Sequence, residues 1–224
     1  PDFQVDTKKV LETADANTKI IWICSPNNPS GNIIERASIL HILDNFTTGL
    51  VVVDEAYIDF ASEDSFTKLL DKYPNLVVMQ TFSKAWGLAA LRLGMAFASE
   101  EIIKILNLIK PPYNISGLTQ EKVLEALDNA PAIKKVIEDT FVERAFLEKE
   151  IEQLSFVQKI YPSHANFILI KMDGARKIYE YLIDQTIIIR DRSKVILCED
   201  CLRISVGTRT ENEALLKALK LYNP

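Results

Sequence analysis

The sequence predicts an α/β protein, with a mostly parallel, doubly wound sheet in its first part and a smaller C-terminal α+β domain after it. Two observations carry that reading. Up to Ala98, short β-branched apolar runs alternate with amphipathic stretches, the pattern of parallel strands joined by crossover helices. Past Pro111-Pro112 the alternation gives way to two long helical segments and then to shorter strands. With 224 residues, 48% of them hydrophobic, there is enough chain to bury one large core or two small ones.

Lys19–Cys24, Leu50–Asp54, Leu76–Thr81 and Leu93–Ala98 read as strands, nearly unbroken in apolarity as strands covered on both faces are. Between them, Glu35–Phe46 carries apolar residues at helical spacing, and Ser65–Lys72 reads as a shorter helix. A helix opens near Glu100 and cannot pass two prolines, so residues 1–112 read as part of a large domain. Leu118–Asp128 and Ala132–Leu154 follow as helices, the second with Ile133, Ile137, Phe141, Leu147 and Ile151 along one stripe. Residues 113–154 are therefore expected to connect two domains. The small domain, 155–224, has strands at Val157–Tyr161, Asn166–Lys171, Thr186–Arg190 and Leu202–Val206. Its helices are Ala175–Leu182 and Glu211–Leu221, with Thr210 and Glu213 at capping-box spacing.

Charge and composition exclude several functions. A formal net charge of −5 without a basic block longer than two residues argues against nucleic acid and anionic membrane as main partners. No apolar run approaches the roughly eighteen residues of a membrane span, and P-D-F-Q-V-D resembles no leader, so the cytoplasm is the expected compartment. Cys198 and Cys201 have C-x-x-C spacing but no second pair. His41 and His164 stand far apart, so no metal site is expected and the three cysteines read as reduced and structural. His41 falls on the polar side of its helix.

Three motifs in series place chemistry beside strand ends: S-P-N-N-P-S-G at Ser25 to Gly31, V-V-V-D-E-A-Y at Val51 to Tyr57, and T-F-S-K-A-W-G-L-A-A-L-R at Thr81 to Arg92. A lysine in a Ser-Lys pair that opens a helix after a strand, as Lys84 does here, can form a Schiff base with an aldehyde cofactor and later carry a proton as a free amine. Asp54 emerges from an apolar strand, where its carboxylate needs a cation, and a protonated pyridine nitrogen is a suitable one. Tyr57 and Asn28 can both meet the 3-hydroxyl oxygen of such a ring. Ser83 and Arg92 are the phosphate candidates, a hydroxyl beside the lysine and a guanidinium able to make paired charge-assisted bonds. Together these are the groups needed to hold pyridoxal phosphate. Each has a plainer reading alone: Lys84 and Arg92 as surface residues, Asn28 as part of a turn, Asp54 as a helix or turn cap. A Walker-type role for Asp54 lacks its G-x-x-x-x-G-K-[ST] loop.

N-N-P-S-G, D-E-A-Y-I-D-F and F-S-K-A-W-G-L-A-A-L-R-L-G in this order closely resemble the class I/II aminotransferases, pyridoxal-phosphate-dependent transferases of fold type I. The resemblance covers essentially the whole chain and is nearest to the branch acting on histidinol phosphate. It implies cofactor roles for Asn28, Asp54, Tyr57, Ser83, Lys84 and Arg92. It further implies that Arg203, in C-L-R-I-S-V-G-T, grips the substrate's anionic group, with Arg190 as a second arginine and Asn166 of S-H-A-N-F as a further contact. His164 in that segment is expected to be a bystander.

The implied reaction moves an amino group between L-histidinol phosphate and 2-oxoglutarate, in a homodimer. Family members carry a substantial N-terminal portion ahead of the point where this sequence begins, so a site incomplete in these residues is expected. Two other readings stay open. One is a related pyridoxal-phosphate enzyme, an aromatic aminotransferase or a threonine-phosphate decarboxylase; the other is a catalytically silent chain that keeps the fold.

Overall fold

Four parallel-leaning apolar segments pair in sequence order: β1 (Ile20–Cys24), β2 (Leu50–Asp54), β3 (Leu76–Thr81) and β4 (Gly94–Ala98). The structure is a computed structural model and describes residues 2–223. β1 to β3 run parallel and β4 runs antiparallel to β3, so the sheet is mostly parallel, as expected, with one reversed edge strand. The reason lies in the connection. Residues 82–93 contain only a 3₁₀ turn at Ala89–Leu91, and without a crossover helix the chain can only fold back beside the strand it has left. The helix expected at Ser65–Lys72 is likewise a 3₁₀ segment, Phe66–Leu69, because Pro74 follows closely and blocks helical continuation.

In-register rows separate the two faces of this sheet. Ile23, Val53, Val78 and Phe97 lie on one face, where α2 (Arg36–Asn45) buries Ile39, Ile42 and Leu43 against them. A short helix that the periodicity did not reveal, α1 (Thr7–Thr13), adds Val10 and Leu11; Asp6 caps it by accepting from the Lys9 N–H at 3.0 Å. Trp22, Val52, Val77 and Ala98 form a row on the opposite face. There Ile20 and Trp22 remain 52% and 53% exposed, so β1 is not covered on both sides as its apolarity implied.

α3 (Glu100–Ile109) ends just before Lys110 and the paired prolines and buries none of its residues. α4 (Gly117–Asp128) is capped by Ser116, and α5 (Ala130–Ile151) begins with a proline in its first turn, where the missing N–H is harmless. The expected stripe of α5 is only partly interior. Leu147 and Ile151 are buried and Ile137 packs near Tyr57 and Phe60, whereas Phe141 is exposed and lines an open cavity with Tyr161 and His164.

The second sheet is antiparallel throughout, in the order β5 (Val157–Ile160), β6 (Phe167–Met172), β8 (Cys201–Ser205), β7 (Arg190–Asp191). One face, with Ile168, Ile170, Leu202 and Ile204, joins Leu147 and Ile151 under α6 (Ala175–Asp184) and α7 (Arg209–Leu221) in the larger core. The strand expected at Thr186–Arg190 shrinks to its last residue and Asp191, since Thr186 takes a left-handed φ of 60° and diverts the chain as it leaves α6. The capping box is Thr208 with Glu211 rather than Thr210 with Glu213: the helix starts two residues earlier.

The two sheets meet at a close approach that only glycine allows. Gly31, at φ +80°, has its carbonyl 2.7 Å from the His164 N–H, and a Cβ there would lie 2.6 Å from Ser163 Oγ.

Candidate active site where the two sheets meet

The loop after β3 is bent so as to present its lysine. Ser83 N–H donates to Thr81 Oγ1 at 3.0 Å, Leu88 N–H returns to Phe82 O at 3.0 Å, and Gly87 turns at φ +68°. Lys84 therefore sits in a tight turn instead of opening a helix, with an exposed side chain whose Nζ lies 5.2 Å from the centre of the Tyr57 ring. Tyr57 is buried, reaches the junction from the turn after β2, and meets the edge of Phe167 at 5.3 Å. Phe167 in turn lies beneath the Arg203 guanidinium at 4.8 Å. Arg203 closes the circuit by donating to Asn28 Oδ1 at 2.6 Å. Lysine, phenol, aromatic ring, guanidinium and amide from both sheets are thereby in contiguous contact.

Asp54, Ser83 and Arg92 line one cavity of about 250 Å³ at the ends of β2 and β3. Asp54 Oδ1 accepts one backbone hydrogen bond, from Ala56 at 3.1 Å, which leaves most of its carboxylate available to a ligand. Strand alternation turns Glu55 the other way. It is buried and fully engaged, accepting from Ser65 Oγ at 2.6 Å, Phe66 N–H at 2.7 Å and Gln80 Nε2 at 2.9 Å, so it anchors the following loop. Arg92 stands at φ 54°, a left-handed backbone unusual for arginine, and spends one donor on Ala89 O at 3.0 Å.

Of the remaining candidates, Arg190 lies directly across the β7–β8 ladder from Arg203. Asn166 is held by its backbone, accepting from Val206 N–H at 2.9 Å; among the described residues its side chain makes no hydrogen bond that would aim it at the site. Burial, reinforced by the guanidiniums of Arg192 and Arg190, pushes Arg203 below the usual arginine range. Burial and then Arg144 lower the pKa of His164, away from the cavity of Asp54. Two residues were not singled out from the sequence: Phe167, whose only signal is its place after S-H-A-N, and Arg192, which follows Arg190 at the two-residue period of a strand face.

The profile of the aminotransferase class I and II family matches residues 1–219. The chain belongs to the aminotransferase class I and II family. A curated histidinol-phosphate aminotransferase from Cytophaga hutchinsonii is 53% identical over 220 residues, covering 98% of this chain and 63% of that relative. The chain thus spans less than two thirds of the length of the relative it matches. Among solved aminotransferase structures, the histidinol-phosphate aminotransferase of Sinorhizobium meliloti in complex with pyridoxal-5'-phosphate superposes with a TM-score of 0.88 at 25% identity, covering 98% of this chain and 61% of that one. The L-threonine-O-3-phosphate decarboxylase of Porphyromonas gingivalis shares the same architecture, with a TM-score of 0.82 at 26% identity and 96% and 68% coverage. Fold type I, with a mostly parallel first sheet and a smaller antiparallel one, follows for this class I and II aminotransferase chain.

Proposed function

We propose that the chain carries the pyridoxal-phosphate site of an aminotransferase that exchanges an amino group between L-histidinol phosphate and 2-oxoglutarate. The observation that carries this is the convergence of Asp54, Ser83 and Arg92 on one cavity beside Lys84 and Tyr57. That donor set fits the cofactor, since it offers a carboxylate for a cationic ring and a hydroxyl with a guanidinium for a phosphate. Asp54 would hold the protonated ring nitrogen, Tyr57 and the Asn28 amide N–H the ring hydroxyl oxygen, and Ser83 with Arg92 the phosphate. When bound, pyridoxal phosphate supplies an electron sink for the charge left as a substrate C–H bond breaks. Lys84 Nζ is the amine that takes and returns that proton. Arg203, stacked on Phe167, and Arg190 beside it suit a substrate that ends in a dianion.

The substrate assignment is supported by the 53% identity to a histidinol-phosphate aminotransferase over 98% of this chain. We place the enzyme in the cytoplasm, where its three free cysteines stay reduced, and read it as a homodimer that covers apolar surface exposed in one chain. Residues 1–112 and 155–224 are the two domains, joined by the helices of 113–154.

Borohydride reduction of the chain with pyridoxal phosphate, followed by peptide mass mapping, tests the site. One label per chain, confined to Lys84, is expected; labelling scattered over surface lysines would overturn it. Turnover of histidinol phosphate in preference to phosphothreonine and phenylalanine then checks the substrate.

A further inference from the structure

The corner around Arg203 holds more positive charge than one substrate carboxylate needs. Arg190 faces Arg203 across the ladder, and Arg192 extends it, donating its N–H to Cys201 O at 2.9 Å. Arg190 and Arg192 are one pleat apart, so both share the face that carries Arg203, the face turned toward Tyr57 and Asn28. The intervening Asp191 points to the other face and pairs with Arg176 at 3.5 Å. Among the described residues, none of the three guanidiniums takes part in an ion pair, while other arginines such as Arg176 and Arg209 do. Burial, Arg192 and Arg190 lower the pKa of Arg203 and Tyr57 opposes them; among the described residues no carboxylate contributes.

The hydrogen-bond inventory points to the same place. Five buried side-chain polar atoms lack a partner among the described residues, and two of them are Arg192 Nε and Arg203 Nε. Buried donors left unmatched cost more than exposed ones, and three like charges held together repel. Both penalties are relieved by one ligand type, an oxyanion with two charges and several acceptor atoms.

We propose that Arg192 is a specificity-determining residue, the third guanidinium of a cradle with Arg190 and Arg203 that selects a substrate ending in a phosphate monoester over its unphosphorylated counterpart. This rests on the function proposed above. Three arginines match the dianion, whose second ionisation is near pH 6, better than a single-charged carboxylate does. The sequence signal is R-D-R entering a strand opposite C-L-R, two cations on one face and the acid on the other.

Titration calorimetry of the chain with histidinol phosphate and with histidinol tests the assignment, using Arg192→Gln, Arg192→Lys and Arg203→Gln. The parent chain is expected to prefer the phosphorylated ligand. R192Q should weaken that ligand about ten- to hundredfold and histidinol little, with R192K in between. A parent preference that R192Q leaves within about twofold, while R203Q abolishes it, would overturn the role of Arg192 and leave the proposed function standing. Equal weakening of both ligands by R192Q would mark a structural role and overturn it too, with circular-dichroism melting as the fold control. A parent chain without preference for the phosphate would sink the function itself, and the cradle with it.

Discussion

At Arg92 the backbone takes a left-handed conformation that glycine adopts freely and arginine only at a cost, and the residue lines the cavity of Asp54 and Ser83. Such strain, of order 1 kcal/mol, persists where the rest of the structure fixes it, commonly at ligand sites. Arg92→Gly separates the two roles. Relief of strain is partly offset by greater freedom of the unfolded chain, so the unfolding free energy should stay within about 1 kcal/mol of the parent. Affinity for pyridoxal phosphate, followed by absorbance titration, should fall about tenfold or more with loss of the charged donors. A large loss of stability with unchanged affinity would make Arg92 a structural residue. At this scale the sequence showed which residue types were present and in what order, and the structure strings Lys84, Tyr57, Phe167 and Arg203 along one path of contacts. The sequence did not show that Asn28 would spend its oxygen on Arg203, because that bond joins residues far apart in sequence and depends on how the sheets dock.

Element boundaries were legible where local chemistry decides them. β2 and β3 stand where β-branched runs put them, and α3 stops at its prolines. Where long-range pairing decides, less was legible: the sequence did not say which strand of the mostly parallel sheet would be reversed, which is β4, and β7 kept only two residues. The last helix offers a direct check on its own start. Thr208 accepts from Glu211 N–H while Glu211 accepts from Thr208 N–H at 2.7 Å, a reciprocal cap that Thr210 does not share. Thr208→Ala is expected to lower stability by about 1 kcal/mol at an unchanged denaturant slope, since the Glu211 N–H at the helix end loses the hydroxyl that accepts from it. Thr210→Ala should be neutral or slightly stabilising, alanine being the better helix former. The reverse order would restore the start of α7 to the position its sequence first suggested.

Across the whole molecule, the two sheets differ in how completely they are clothed. The second buries one face in the main core and turns the other to the junction, whereas the first leaves Ile20 and Trp22 open, and the helices beyond it expose Leu108, Ile109 and Leu118. Apolar area of that extent is unusual on an isolated soluble chain. The folded chain is expected to enhance the fluorescence of an anilinonaphthalene dye before any denaturant is added, and Ile20→Thr should reduce the effect without changing the unfolding free energy by more than about 0.5 kcal/mol. No enhancement would mean that this face is covered in solution. Among the described residues no helix is long and apolar enough to cross a membrane.

The placement of the two tryptophans gives the molecule a pair of intrinsic optical probes. Trp22 lies half-exposed on the open face of the first sheet, while Trp86 packs edge-on against Phe82, two residues from Lys84. Shielding Trp22 from water shifts its emission to the blue, and a coloured cofactor near Trp86 quenches by energy transfer. One spectrum, compared with that of Trp22→Phe, therefore reports separately on what settles against the sheet and on what enters the lysine loop.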